Sequence, residues 1–186
     1  MMVFEENLGV YFDTYYDRLY SFCLFRVKNI HDAQDITSEV FFRAVKSSGG
    51  FDESRASVST WLFKIAVNEI KRHHTKKRHT LPLEQAKNLP SADNIIDSVL
   101  IGERAKELYD AMDQLDERHK NVLLLKYYGQ LNNKEIARIL KITETNAETI
   151  LYRAKKKLKK LLEKREVFEN EGYKIAEAEA EEAGYV

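Results

Sequence analysis

The chain has 186 residues, enough for one domain or two small ones, and its 30 Lys and Arg are balanced by 30 Asp and Glu, so net charge announces no partner. A single cysteine, Cys23, excludes an internal disulfide framework and a four-cysteine zinc site, and it reads as a small buried hydrophobe. The acidic, polar-interrupted start is no secretory signal and no apolar run of about eighteen residues is present, so a cytoplasmic protein without membrane insertion is expected. The charge is nonetheless uneven. Residues 71–79 hold Lys71, Arg72, Lys76, Lys77 and Arg78 and no acid, residues 153–165 hold eight basic side chains against Glu163, and residues 166–186 carry seven Glu against Lys174. Two basic blocks and an acidic tail sum to zero.

In chain order, a first helix is expected over about residues 4–27, with Leu8, Tyr11, Phe12, Tyr15, Leu19, Phe22, Cys23 and Val27 turned inward at helical spacing. Aromatics at that spacing are read as core rather than as a base-stacking platform. A second helix should begin near Asp32 as its N-cap, with Ile36, Val40, Phe41 and Ala44 inward. Asp32, Asp35 and Glu39 then share an outward edge, either a solvated face or a docking surface for a basic partner helix. Gly49-Gly50 should end this helix through left-handed backbone. A loop rich in Ser, Asp and Arg follows, and Ser57 or Ser59 can cap a third helix whose stripe is Leu62, Ile65, Ala66 and Ile70. The far end of that helix enters the first basic block. Charge for phosphates beside aromatic and amide groups for bases suits a nucleic-acid strand; the plainer alternative is a basic linker start.

Both prolines, Pro82 and Pro90, lie in the aperiodic stretch over about residues 80–97, which reads as a linker. No sustained alternation marks a strand. The expected fold is all-α: two small helical domains joined by a flexible linker, the second a helix-turn-helix domain. The boundaries are 1–79, a linker over 80–98, 99–165, and an acidic C-terminal tail over 166–186 in which residues 176–183 could form a short helix. In the second domain, Ile136, Ala137, Ile139 and Leu140 give a short helix one apolar face. After a tight turn, Thr143 can cap a further helix, Glu144 sits where the helix dipole favours an anion, and Ala147, Leu151, Ala154, Leu158 and Leu161 make a buried stripe. Two helices so joined either place the second in a DNA major groove or form an ordinary αα-hairpin.

Taken together and in order, these residues resemble bacterial sigma factors of the extracytoplasmic-function (ECF) group of the sigma-70 family, over about residues 8–163. Asp32-Ala33-Gln34-Asp35-Ile36 with Glu39-Val40-Phe41 is similar to the segment that docks on the polymerase β′ clamp helices. Phe51-Asp52, then Ser57 to Ala66 and Asn68, resembles the loop and helix that read and open the minus-ten element. Leu115 to Arg118, Val122 to Tyr128 and the helix-turn-helix resemble the domain that binds the minus-thirty-five element and the β flap. The resemblance implies a subunit that binds core RNA polymerase and promoter DNA and directs sequence-specific initiation, with a linker (about residues 75–98) threading the polymerase. It assigns polymerase binding to Asp32, Asp35, Glu39 and Phe42. The minus-ten contacts fall to Ser57, Ser59, Lys64, Asn68, Lys71 and Arg72. The minus-thirty-five contacts fall to Thr143, Thr145, Glu148, Thr149, Tyr152, Arg153 and Lys156. A partner anti-sigma factor is expected from the family.

The chain departs from the family pattern at several places. Lys141 stands where the turn usually has Gly, and a left-handed backbone there would cost Lys about 1 kcal/mol. Glu148 and Ile150 stand where basic residues are usual, and Ser38 where Gln is. Glu148 could accept from a cytosine amino group but would be repelled by phosphates. The acidic tail lies outside the pattern; it is read as solvated, with masking of the basic recognition helix as the sharper alternative. No catalytic residue, cofactor or metal is expected, because no Gly-rich phosphate loop, nucleophile constellation or paired carboxylate stands out, and His73, His74 and His79 are read as phosphate contacts. The alternative to a sigma factor is a helix-turn-helix regulator acting without the polymerase core, which would be a dimer on a palindromic site.

Overall fold

A computed structural model describes the backbone of residues 7–80 and 103–182, and side chains within 7–77 and 106–163. It has helices α1 (Leu8–Val27), α2 (Ile30–Lys46), α3 (Val58–Thr80), α4 (Glu103–Asp113), α5 (Glu117–Tyr127), α6 (Asn133–Leu140) and α7 (Glu144–Glu182), and no strand among the described residues. The expected linker over 80–98 lies almost wholly outside them; only its first residue, Thr80, is described, as the end of α3. The basic block over 71–79 is therefore helical, and so is the part of the threading segment that begins at residue 75.

The first domain is a three-helix bundle in which α1 packs on α2 and α3, and α2 on α3. Leu19, Phe22, Cys23, Val40, Leu62, Phe63 and Ala66 are fully buried or nearly so, with Phe22 and Phe63 edge to face at 5.3 Å. Burying such side chains stabilises by roughly 1.5–3 kcal/mol each. Three expectations are corrected here. Phe12 is 41% exposed, resting on Phe41 and Tyr16 at the rim, whereas Leu24 and Phe25 are buried. The reason is that α1 is covered on a second side: Phe25 stacks on Tyr109 of the second domain at 4.0 Å. Helix α2 starts at Ile30, because Asn29 is the cap; its side chain accepts the Asp32 N–H at 2.9 Å, and Asp32 sits within the first turn. Gly49 and Gly50 fall in a 3-10 turn after α2 and neither is left-handed. In this domain the residue that does end a helix in that way is Lys28, with φ 53° after α1.

In the second domain α4, α5 and α6 all pack on α7. Asp116 caps α5 through the N–H groups of Arg118 and His119, both at 3.1 Å. Gly129 follows because an added Cβ would lie 2.4 Å from the Leu125 carbonyl oxygen. Helix α6 opens on a reciprocal box: Asn132 Oδ1 accepts from Glu135 N–H, and Glu135 Oε2 accepts from Asn132 N–H, each at 2.9 Å. It closes on Lys141 at φ 56°, the left-handed position suspected from the sequence. Thr143 Oγ1 then accepts from Asn146 N–H at 3.2 Å and caps α7. That helix runs unbroken to Glu182, so residues 176–182, where a short helix was expected, are helical as part of α7.

Candidate nucleic-acid interface

Three groups of side chains emerge from this scaffold. On the outer face of α2, Phe42 is 61% exposed and Asp35 is exposed, while Asp32 and Glu39 are half-buried. The acidic edge is partly neutralised from within. Asp32 Oδ2 lies 3.3 Å from His73 Nε2 and 3.5 Å from Lys77 Nζ. Glu39 Oε1 meets Arg43 at 2.8 Å and Arg72 at 3.3 Å, and the same two guanidinium groups hold the buried Glu69 at 2.9 and 2.5 Å. A buried carboxylate needs such partners. The network joins α2 to α3 beside a cleft of about 400 Å³ lined by Asp35, Ile36, Glu39, Glu69, Arg72, His73 and Lys76.

The second group lies at the start and along the outer face of α3. Ser57 is the cap: its Oγ accepts Thr60 N–H at 3.2 Å and lies 2.8 Å from Thr60 Oγ1. Ser59 is half-buried and donates to the Gly129 carbonyl at 3.2 Å. In the preceding loop Phe51 stacks on Trp61 at 4.3 Å, and Asp52 accepts from the hydroxyl and N–H of Ser54 at 2.6 and 2.9 Å. Those two hydrogen bonds, hydroxyl first, hold the Asp52 carboxyl below its ordinary range. Lys64, Asn68, Lys71 and Arg72 are all exposed, at spacings that put them along one side of the helix.

The third group is the outer face of α7. Thr145, Glu148, Thr149, Tyr152, Arg153 and Lys156 are exposed, Tyr152 by 68%, opposite the buried Ala147, Ile150, Leu151 and Ala154. Leu158 and Leu161, expected in that stripe, are only partly buried. Thr149 donates its hydroxyl to the Thr145 carbonyl at 2.8 Å, which leaves its oxygen only acceptor capacity. Ile150 is 8% exposed. It belongs to the core stripe of α7 rather than to the exposed face. Thr143 is exposed but its hydroxyl oxygen serves the cap.

The sequence reading missed Thr60, Glu135 and Arg18. Glu135 Oε1 accepts from both Ser57 and Thr60 at 2.7 Å, and Arg18 Nε donates to the Tyr128 carbonyl at 2.9 Å. The Asn-x-x-Glu spacing at 132–135 is a legible start signal for a helix; its second use, across to α3, is not. No group of His, Cys, Asp and Glu among the described residues has metal-binding geometry, and no helix is long and apolar enough to cross a membrane.

Two helical domains, one carrying a helix-turn-helix with an exposed polar and basic face and the other a basic helix beside an acidic edge, define the class of two-part DNA-binding proteins. Residues 11–80 match sigma-70 region 2 and residues 105–158 match sigma-70 region 4. The chain is 32% identical over 161 residues to the ECF RNA polymerase sigma factor SigW of Bacillus subtilis (strain 168), covering 81% of this chain and 86% of that one. It is 31% identical over 155 residues to SigM of the same organism, covering 81% and 91%. The sigma factor RpoE of Bartonella quintana, solved with the anti-sigma factor NepR, has the same fold, with a TM-score of 0.67 at 15% identity over 85% of this chain and 98% of that one. The chain belongs to the ECF group of the sigma-70 family. It binds core RNA polymerase and directs it to promoters.

Proposed function

We propose the following division of labour. Asp32, Asp35, Glu39 and Phe42 dock on the β′ clamp helices; Ser57, Ser59, Lys64, Asn68, Lys71 and Arg72 engage the melted minus-ten strand; Thr143, Thr145, Glu148, Thr149, Tyr152, Arg153 and Lys156 engage the minus-thirty-five duplex. Domain 1–79 carries the first two tasks and domain 99–165 the third, with residues 80–98 threading the polymerase between them. The β flap contact falls to the second domain, where a groove of about 740 Å³ opens among Leu108, Met112, Leu123, Leu124, Tyr127 and Leu158. The observation that carries this reading is the exposure, on one side of α7, of six polar or basic residues opposite a fully apolar stripe. Lys and Arg there neutralise phosphates, and Thr, Glu and Tyr offer groups to base edges. The protein works without a catalytic group of its own, in the cytoplasm, and an anti-sigma factor controls it, as NepR accompanies RpoE in the solved complex.

The test of the docking edge is gel filtration with purified core RNA polymerase. Asp35→Arg is the clean variant, since Asp35 is exposed; Glu39→Arg also breaks the pairs to Arg43 and Arg72. Loss of co-elution with Asp35→Arg, and more fully with both, is expected. Undiminished co-elution of the double variant would remove the interface from this face while leaving the family intact.

A further inference from the structure

Among the described residues Glu69 is the one charged side chain in the core, 6% exposed on α3. Its carboxylate closes a ring of ion pairs across α2 and α3. Oε1 lies 2.9 Å from Arg43 Nε and Oε2 lies 2.5 Å from Arg72 Nη2, and both guanidinium groups return to Glu39 Oε1 at 2.8 and 3.3 Å. Replacing a buried network of this kind by apolar side chains of similar volume is often neutral or stabilising. Holding α2 on α3 therefore does not by itself call for a carboxylate at position 69. What the ring does, and an apolar contact cannot, is fix the direction of a guanidinium.

Both carboxylates take Arg72 through Nη2, and Nε and Nη1 lie outside these pairs. The side chain stays 56% exposed, beside the exposed Asn68 and Lys71, so a phosphate can still reach it. An arginine already held in one arrangement gives up less side-chain freedom when it meets that phosphate. We propose that Glu69 is a positioning residue for the melted minus-ten strand. It does not touch DNA; it presents Arg72 to the strand in a fixed direction, and through Arg43 and Glu39 it ties that direction to the polymerase-docking edge of α2. The inference rests on the assignment of Arg72 to the minus-ten strand.

Charge alone predicts the opposite result, since removing an acid close to a phosphate site should tighten DNA binding. Core RNA polymerase saturated with each full-length variant is titrated against a fluorescent fork-junction DNA, selected from a random-sequence pool by the unaltered holoenzyme. Glu69→Gln keeps the size and one acceptor oxygen, and should weaken binding about tenfold. Unchanged or tighter binding overturns the proposal. Glu69→Met with Arg43→Met keeps net charge and Arg72 and replaces the buried pair by apolar packing, so it supplies a folded variant even where Glu69→Gln does not fold. It should bind the DNA more weakly by a similar factor; binding at the original strength reduces Glu69 to a packing role and overturns the proposal. Glu69→Gln added to Arg72→Ala should cost no more than Arg72→Ala alone, and losses that multiply mean that Glu69 does not act through Arg72. Arg72→Ala by itself separates the two ideas. If it leaves DNA binding unchanged, the minus-ten assignment of Arg72 falls and the inference with it. If it weakens binding while Glu69→Gln does not, only the inference falls.

Discussion

At the scale of single residues, Lys141 and Ile150 carry opposite lessons. Lys141 holds φ 56° in the helix-turn-helix turn, and a left-handed backbone strains any side chain with a Cβ. Lys141→Gly should therefore stabilise the chain by about 0.5–1 kcal/mol, partly offset by the freer unfolded backbone, read as a higher urea midpoint at unchanged slope. This position was legible through the family resemblance, whose pattern usually has Gly there. Ile150 was not, since an apolar residue two places from Glu148 can face either way until the packing of α7 is known. With Ile150 8% exposed, Ile150→Lys should cost about 3 kcal/mol by burying an unpaired charge. Glu148→Lys, on the exposed face, should change stability by less than about 0.5 kcal/mol and steepen the salt dependence of duplex binding by about 0.9 in log–log slope. Cys23 is fully buried, which pushes its thiol up to about 12, a Thr37 hydrogen bond opposing. The folded state then keeps a proton that the unfolded state releases from about 9. Stability should fall as pH rises from 9 towards 12, and Cys23→Ala should flatten that decline in a pH series of thermal unfolding curves.

At the scale of elements, capping decides where the helices begin. Asp32 has the right side chain for a cap, but Asn29 takes the role three residues earlier, and the choice turns on backbone that sequence does not display. The Asn132 and Glu135 pair closes two orphan N–H groups at once. Asn132→Ala should cost about 1 kcal/mol and Asn132→Asp far less, measured by urea unfolding. The period of apolar residues located α2, α3, α6 and the start of α7 well. On α1 it found Leu19, Phe22 and Cys23 but left Leu24 and Phe25 out of the inward face. They are buried because α1 serves two neighbours, and a single-stripe reading assumes one.

At the scale of the whole molecule, the sum of charges was the least informative number and their order the most. The all-helical, two-domain architecture was readable from periodicity and from the two prolines. The contacts between the domains were not, because residues such as Ser57 and Glu135 lie 78 positions apart and each already has a local duty. Helix α7 carries its own consequence. Its 39 residues make a rod of about 58 Å, with Tyr152 and Arg153 near one end and the run from Glu177 to Glu182 at the other. While the rod is intact its acidic end stands about 36 Å along the axis from Arg153 and cannot fold back over it. Helix α7 is in effect a pole with a cationic grip at one end and an anionic butt at the other. A fluorescent reporter spliced in after Glu182 would ride clear of the promoter and leave its recognition undisturbed.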